Sequence, residues 1–325
     1  MLIRRYTSTD KILWNDFVGK SKNGTFLLNR NYMDYHEDRF PDHSLLFFDD
    51  KNQLCALLPA SSQDTVYVTH PGLTYGGFIT DSRMTATCML TLLNSLLEYL
   101  LSNNFSILRY KTMPSIYHQL PAEEDRYALF RAGAILFRRD VLSVLYNTPR
   151  PPYQLRRLRS IKKANNAGVS IGPSMAFEEF WKILTTNLET FHNVTPVHSV
   201  KEISMLAQRF PDNIKLYTAQ YNNSIEAGVV VYESARVAHF QYNATSSKGR
   251  KNGALDILID HIIRNIYRDK PFIDFGISNE NNGSLLNIGL VTQKEGFGAR
   301  TIVHDYYELS VSEAFKRIAK QDTLS

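Results

Sequence analysis

Cysteine is scarce in this chain: Cys55 and Cys88 are the only two in 325 residues. Two thiols cannot build a disulfide framework, and they stand in no metal-ligand spacing. The nine histidines are scattered, and no His-x-x-x-His pair sits beside carboxylates, so no metal site is expected. Long apolar runs are also missing. The longest, around residues 89–101, is broken by Thr91, Asn94, Ser95 and Glu98, which suits a buried helix and not a membrane span. The opening Met-Leu-Ile-Arg-Arg-Tyr lacks the apolar stretch of a signal peptide, so a cytoplasmic protein is expected. Acidic residues run slightly short, 32 against 37 Lys and Arg, for a net charge of +5. That excess suits an anionic ligand but does not by itself indicate nucleic-acid binding.

What is present describes a folded protein with substantial cores. Hydrophobic residues make up 43% and charged residues 21%, which excludes disordered and fibrous classes. Eighteen Tyr and eighteen Phe can fill cores or line a cleft. The length accommodates two ordinary domains or one large one.

Read in order, the chain alternates strand and helix signals. Two apolar runs, Ser44–Phe48 and Gln53–Pro59, flank Asp49-Asp50-Lys51-Asn52 as a hairpin. Thr65–Thr69 is a strand, followed by the glycine-dense loop His70–Gly77, which carries Tyr75. Met89, Leu92, Leu93, Leu96, Leu97 and Leu100 then mark an amphipathic helix, and Ser106–Lys111 a strand. Thr148–Pro152 breaks regular structure and reads as a linker. Beyond it Gln154–Ala167 holds Arg156, Arg157, Arg159, Lys162 and Lys163 with no acid, a basic helix ending at Gly168. Such a charge run is either a solvated face or a surface pressed against an anionic ligand. Ser199-Val200-Lys201-Glu202 is a capping box opening another helix. Ile214–Gln220 and Ala227–Tyr232 pair across Asn222-Asn223-Ser224, and Arg236–Ala244 adds a third strand. Phe272–Ile277 is the next strand, with a helix expected over Ser284–Glu295 and a last strand over Thr301–Ser310.

The stretch His239–Ile263 organises the second half. A strand of mixed aromatic and polar residues leads into Ser247-Lys248-Gly249-Arg250-Lys251-Asn252-Gly253-Ala254, expected as a loop. Leu255, Leu258, Ile259, Ile262, Ile263 and Ile266 then repeat the helical spacing of the first half. Glycines admit close backbone approach, and first-turn N–H groups lack internal partners. Three basic side chains add to the positive end of the helix dipole, an arrangement suited to phosphate or pyrophosphate. Both halves thus share one order: hairpin or meander, strand, glycine-bearing loop, helix, strand.

Arg250-Lys251-Asn252-Gly253-Ala254 resembles the start of the pyrophosphate-binding signature of GNAT acyltransferases, Gln/Arg-x-x-Gly-x-Gly/Ala. Arg250 and Gly253 match, while Leu255 takes the last small-residue position. Two such units joined by a basic helix resemble the FemAB-like branch of that superfamily, as do Asp274-Phe275-Gly276 and Lys294-Glu295-Gly296-Phe297-Gly298. The resemblance implies a mixed α/β, α+β-like fold of two tandem GNAT-like domains, residues 1–147 and 148–325, each a mostly antiparallel sheet flanked by helices. It also implies an enzyme moving an acyl group from acyl-CoA, acetyl-CoA foremost, to an amine or hydroxyl. The implied acceptor is an amino sugar or a cell-envelope or polysaccharide precursor, as a small molecule or lipid-linked. An aminoacyl-tRNA donor, as in FemAB proper, and a non-catalytic ligand-binding protein are the alternatives.

Acyl transfer needs an anchor, donors at the acyl carbonyl and a base. Gly249, Arg250, Lys251, Asn252, Gly253 and Ala254 are the candidate anchor, and Gln241, Asn243 and Ala244 are candidate cofactor contacts on the strand leading into it. Glu280 is the first candidate base, with helix capping as its competing role. His239 and His304 stand behind it, each with the competing role of a satisfied core histidine. Tyr75, Tyr242, Asn279 and Lys294 are candidate substrate contacts.

Overall fold

The computed structural model describes residues 1–322 and divides the chain into two compact units, neither contiguous in sequence. One comprises Met1–Asp140, Asn282–Ser284 and the described residues from Val303 to Asp322; the other comprises Val141–Asn281 and Leu285–Ile302. No helix among the described residues is long and apolar enough to cross a membrane.

In the first unit the strands β1 (Leu2–Arg5), β2 (Leu45–Phe48), β3 (Leu54–Leu58), β4 (Ser61–Gln63), β5 (Val66–Val68), β6 (Ile79–Thr80) and β7 (Ile107–Lys111) are joined with α1 (Lys11–Lys20), α2 (Arg30–Met33), α3 (Ala86–Ser102) and α4 (Glu124–Ala132). A four-stranded sheet runs β1-β2-β3-β6. A second set runs β4-β5-β7 and pairs through β7 with Tyr306–Ser310 of the last strand, Arg300–Ser310. β5 and β7 are parallel, with Val66 opposite Ile107, and α3 is the crossover between them. All six of the apolar residues spaced along α3 are buried, each contributing about 1.5–3 kcal/mol of transfer free energy. Its start is fixed by Thr85, whose hydroxyl accepts from the Cys88 N–H at 3.2 Å. The terminal helix Val311–Asp322, not anticipated from sequence, adds Val311, Ala314 and Ile318 to the same core.

In the second unit the sheet order is β8-β13-β12-β11-β10-β9. These strands are the Val141–Tyr146 half of β8 (Ile135–Tyr146), β9 (Ser170–Ser174), β10 (Ile214–Tyr221), β11 (Ser224–Glu233), β12 (Val237–Thr245) and β13 (Phe272–Ile277). The helices are α5 (Leu155–Asn166), α6 (Phe177–His192), α7 (Val200–Arg209), α8 (Ser247–Asn252), α9 (Ala254–His261) and α10 (Ile288–Glu295). β10 and β11 turn at Asn222 and Asn223, both at positive φ (52° and 59°), the conformation a two-residue hairpin demands. The capping box over Ser199–Glu202 forms as read: the Ser199 hydroxyl accepts from the Glu202 N–H, and the Glu202 carboxylate accepts from the Ser199 N–H. α9 covers one face of the sheet, burying Leu255, Leu258 and Ile259 against Val229, Val231, Ala238 and Phe240. α6 covers the other, so closely that a Cβ on Gly228 would meet the Phe180 ring at 2.2 Å. As in the first unit, a helix bridges two parallel strands: α9 lies between β12 and β13.

Two expectations are corrected. Ser247–Ala254 is not a loop. Ser246 caps a real helix there, its hydroxyl accepting from the Gly249 N–H at 2.9 Å, and α8 ends only at Gly253, whose φ of +85° breaks it from α9. The helix expected from Ser284 begins at Ile288, because Asn287 is the residue whose side chain caps it, accepting from the Leu290 N–H at 2.9 Å. Leu285–Leu286 (β15) instead pairs antiparallel with Asn279–Glu280 (β14).

Candidate functional site

The second unit opens where two parallel strands stop pairing. β12 and β13 run together at Val237–Phe272, Ala238–Ile273 and His239–Asp274, and no further. Past that point β12 stays on β11, and β13 stays on Val141–Tyr146 with an irregularity between Asp274 and Ile277. Each strand is deformed just beyond the parting. In β12, Phe240 lies opposite Val231 and Tyr242 opposite Val230, so Gln241 is an extra residue, a bulge that bends the strand and re-aims its side chains. In β13, Gly276 takes φ +74°, a conformation costly for any residue with a Cβ.

At the fork lies a buried pair. Ala238 and Phe240 face α9, as do Ile273 and Phe275, so alternation places His239 and Asp274 together on the opposite face. His239 Nδ1 donates to Asp274 Oδ2 at 2.9 Å, with His239 8% and Asp274 0% exposed. The other carboxylate oxygen accepts from the Gly276 N–H at 2.7 Å, which fixes the acid in place. A carboxylate on Nδ1 favours the tautomer with its proton there, which leaves Nε2 of the neutral ring as the nitrogen a general base uses. Lys294, on α10, is buried beside them and donates to the carbonyls of Gly276 at 3.0 Å and Ile277 at 2.5 Å. Burial pushes its ammonium down to about 8, only partly countered by the Asp274 charge.

The Gln241 Oε1 is buried with no hydrogen-bond partner, an uncompensated acceptor at the bulge. Tyr242 next to it stacks edge-on against Trp181, and its hydroxyl lies 2.6 Å from His198 Nδ1; burial pushes its phenol up to about 12. β12 then delivers Asn243, exposed, and Ala244, buried, to α8.

On α8 several backbone donors are already used. The Gly249 N–H goes to the Ser246 side chain, Arg250 N–H to the Ser246 carbonyl, Gly253 N–H to the Gly249 carbonyl and Ala254 N–H to Asn252 Oδ1. Ser247 and Lys248 are the first-turn positions that have no intrahelical acceptor. Arg250 and Lys251 are exposed, with the Arg250 guanidinium 4.6 Å over the Phe191 ring. Asn252 Nδ2 is buried without a partner. Gly249 and Gly253 are there for close approach: a Cβ at Gly249 would meet the Glu226 carbonyl oxygen at 2.4 Å, and one at Gly253 the Ser160 carbonyl oxygen at 2.5 Å. α5 is clamped alongside by a buried ion pair, Arg157 to Asp256 at 2.7 Å.

The remaining candidates lie elsewhere. Glu280 is exposed on β14 and accepts from Asn287 Nδ2 at 2.7 Å; no hydrogen bond links it to His239. Asn279 is buried and accepts from the Val141 N–H at 2.6 Å. His304 belongs to the first unit, buried, with Nε2 on the Thr112 carbonyl at 2.7 Å. Tyr75, also in the first unit, is buried, with its hydroxyl 2.7 Å from the Thr25 hydroxyl and its ring against Tyr117. Sequence reasoning missed Asp274 as a functional candidate. The signal was present: a lone acid between apolar residues in Phe272-Ile273-Asp274-Phe275, at a position strand alternation buries.

No family model and no curated protein matches the chain. Solved structures do. FemX aligns with a TM-score of 0.66 at 10% identity, over 95% of this chain and 97% of its own. The C-terminal domain of a putative lysylphosphatidylglycerol synthetase from Agrobacterium fabrum aligns at 0.59 and 11% identity, over 98% and 97%. A tandem GNAT protein from the clavulanic acid biosynthesis pathway aligns at 0.50 and 11% identity, over 95% and 98%. At such identities the likeness is one of fold. The chain has a GNAT-like, two-unit mixed α/β fold with FemX-like relatives in structure.

Proposed function

We propose that this chain is an acyltransferase that moves an acyl group from acyl-CoA, acetyl-CoA foremost, to an amino group of an amino sugar or a cell-envelope polysaccharide precursor. The carrying observation is the His239–Asp274 pair set at the fork of two parting strands. The likeness of fold to a tandem GNAT protein and to FemX supports the reaction class.

The donor site is assigned to the C-terminal domain, residues 148–325, of a chain whose N-terminal domain is residues 1–147. The features present suit a pantetheine–pyrophosphate ligand: strands that part, an unpartnered Gln241 Oε1 at the bulge, and exposed Arg250 and Lys251 on α8. Acyl-CoA, when bound, supplies an activated acyl carbon and a thiolate leaving group. Arg250 and Lys251 bind the pyrophosphate charge, and the Ser247 and Lys248 N–H groups lie at the positive end of α8. The bulged strand Gln241–Ala244 orients the acyl carbonyl. His239 Nε2 takes the proton from the attacking amine while Asp274 steadies the imidazolium that results. Lys294, its ammonium pushed down to about 8 by burial, is assigned to stabilise negative charge developing on the acyl oxygen. Tyr242 and Asn279 are assigned to acceptor contacts on the same unit, and Glu280 is the alternative base there. The site of action is the cytoplasm.

An aminoacyl-tRNA donor is the second reading, favoured by the acid-free basic helix α5 and the likeness to FemX. Thiol release from acetyl-CoA across a panel of amino sugars tests the first. His239→Ala is expected to lower kcat at least about 100-fold, leaving acetyl-CoA affinity within about twofold. An unchanged rate in His239→Ala would return the base to Glu280.

A further inference from the structure

α5 presents its leucines to water. With roughly 100° between successive residues, Arg157, Ile161 and Ala164 form the stripe that packs inward, where Arg157 and Ala164 are buried and Ile161 joins the α9 core. Leu155, Leu158, Arg159 and Lys162 lie on the opposite side. Leu155 is 69% and Leu158 44% exposed, although Arg157 between them turns inward. Arg156, Arg159, Lys162 and Lys163 are all exposed, and among the described residues no ion pair holds any of them. The sequence holds no acid from Gln154 to Phe177, nor from Ser234 to Leu255, so α8 beside α5 adds only the exposed cations Lys248, Arg250 and Lys251. Lys248 alone among these has an acidic neighbour, Glu226 at 3.6 Å.

We infer that the outward face of α5 docks on an anionic phospholipid surface. Two chemistries meet there in the arrangement a bilayer interface rewards: apolar side chains one helical turn apart, flanked by cations with long apolar stems. A polyanion such as RNA would engage the cations but gain nothing from exposed leucines, so the leucines decide for lipid. Each Lys or Arg brought to an anionic leaflet strengthens binding roughly fivefold, and the attraction is screened by salt. The surface is peripheral, since no described helix is fit to span. It stands apart from the acyl-transfer reading: failed acetyl-CoA binding leaves it intact, and failed lipid binding leaves the donor site intact.

The test is co-sedimentation of the full chain with phosphatidylcholine vesicles, with and without about one-third phosphatidylglycerol. The wild type is expected to sediment with the anionic vesicles, to stay free of the neutral ones and to be released by high salt. Leu155→Ser with Leu158→Ser, and separately Arg159→Gln with Lys162→Gln, are each expected to weaken binding roughly tenfold or more. All four side chains are exposed, so melting temperatures should stay at the wild-type value. Wild-type protein that ignores anionic vesicles overturns the inference. So does a leucine variant that binds like wild type while the cation variant fails, which would mark a polyanion surface and direct attention to tRNA.

Discussion

His239, the proposed base, is hydrogen-bonded to a partner 35 residues away in sequence. The histidine alone was legible as a polar side chain in a strand. Asp274 became its partner only through the parallel register that sets Val237 opposite Phe272, which no local pattern reports. Asp274→Asn keeps the shape but can donate to Nδ1, favouring the wrong tautomer; kcat is expected to fall about 10²–10⁴-fold with acetyl-CoA affinity unchanged. Steady-state kinetics beside calorimetry would show it. Lys294 gives a second residue-scale prediction. Its folded pKa, about 8, lies below the unfolded value of 10.5, so between those values the unfolded chain binds more protons and stability rises with pH. Subtracting the unfolding free energy of Lys294→Met from that of wild type at pH 7.5 and pH 10 should leave a difference that grows by a few kcal/mol in favour of wild type. A flat difference would mean the amine titrates normally.

At the scale of elements, local signals were sufficient where the structure is locally determined. The Ser199–Glu202 box, the Asn222-Asn223 turn and the apolar spacing of α3 each specify their geometry within a few residues. They failed where tertiary packing chose. Ser247–Asn252 is glycine-bearing and basic and reads as a loop, yet the Ser246 cap and Gly249, wedged against Glu226, make it helical. The first half of β8, Ile135–Asp140, mixes apolar and charged residues and carried no clear strand signal. Gly253 is the joint between α8 and α9, and it combines positive φ with a 2.5 Å approach to Ser160. Gly253→Ala should therefore destabilise by at least about 1–2 kcal/mol. Lys251→Ala, exposed two residues before it, should stay within about 0.5 kcal/mol. Urea titration of both variants distinguishes a structural joint from a tolerant surface turn.

For the whole molecule, the repeated order seen in sequence has a structural counterpart in each unit: parallel strands bridged by a buried helix, β5–α3–β7 in one and β12–α9–β13 in the other. A crossover of this kind needs only an apolar helix between two strands, so pattern survives where identity does not. Among the described residues, the second unit is the one that combines that crossover with a bulged strand, a buried His–Asp pair and a short basic helix, which is why the chemistry is proposed there. The most direct test of that assignment is calorimetric titration of acetyl-CoA into wild type and into Arg250→Glu with Lys251→Glu, at low and high salt. Both side chains are exposed, so the variant should fold normally, unlike any substitution at Gly253. Wild-type binding that weakens with salt and drops at least about tenfold in the variant is the predicted result. A wild type that releases no heat with acetyl-CoA, or a variant that binds it equally well, would contradict a donor site on α8.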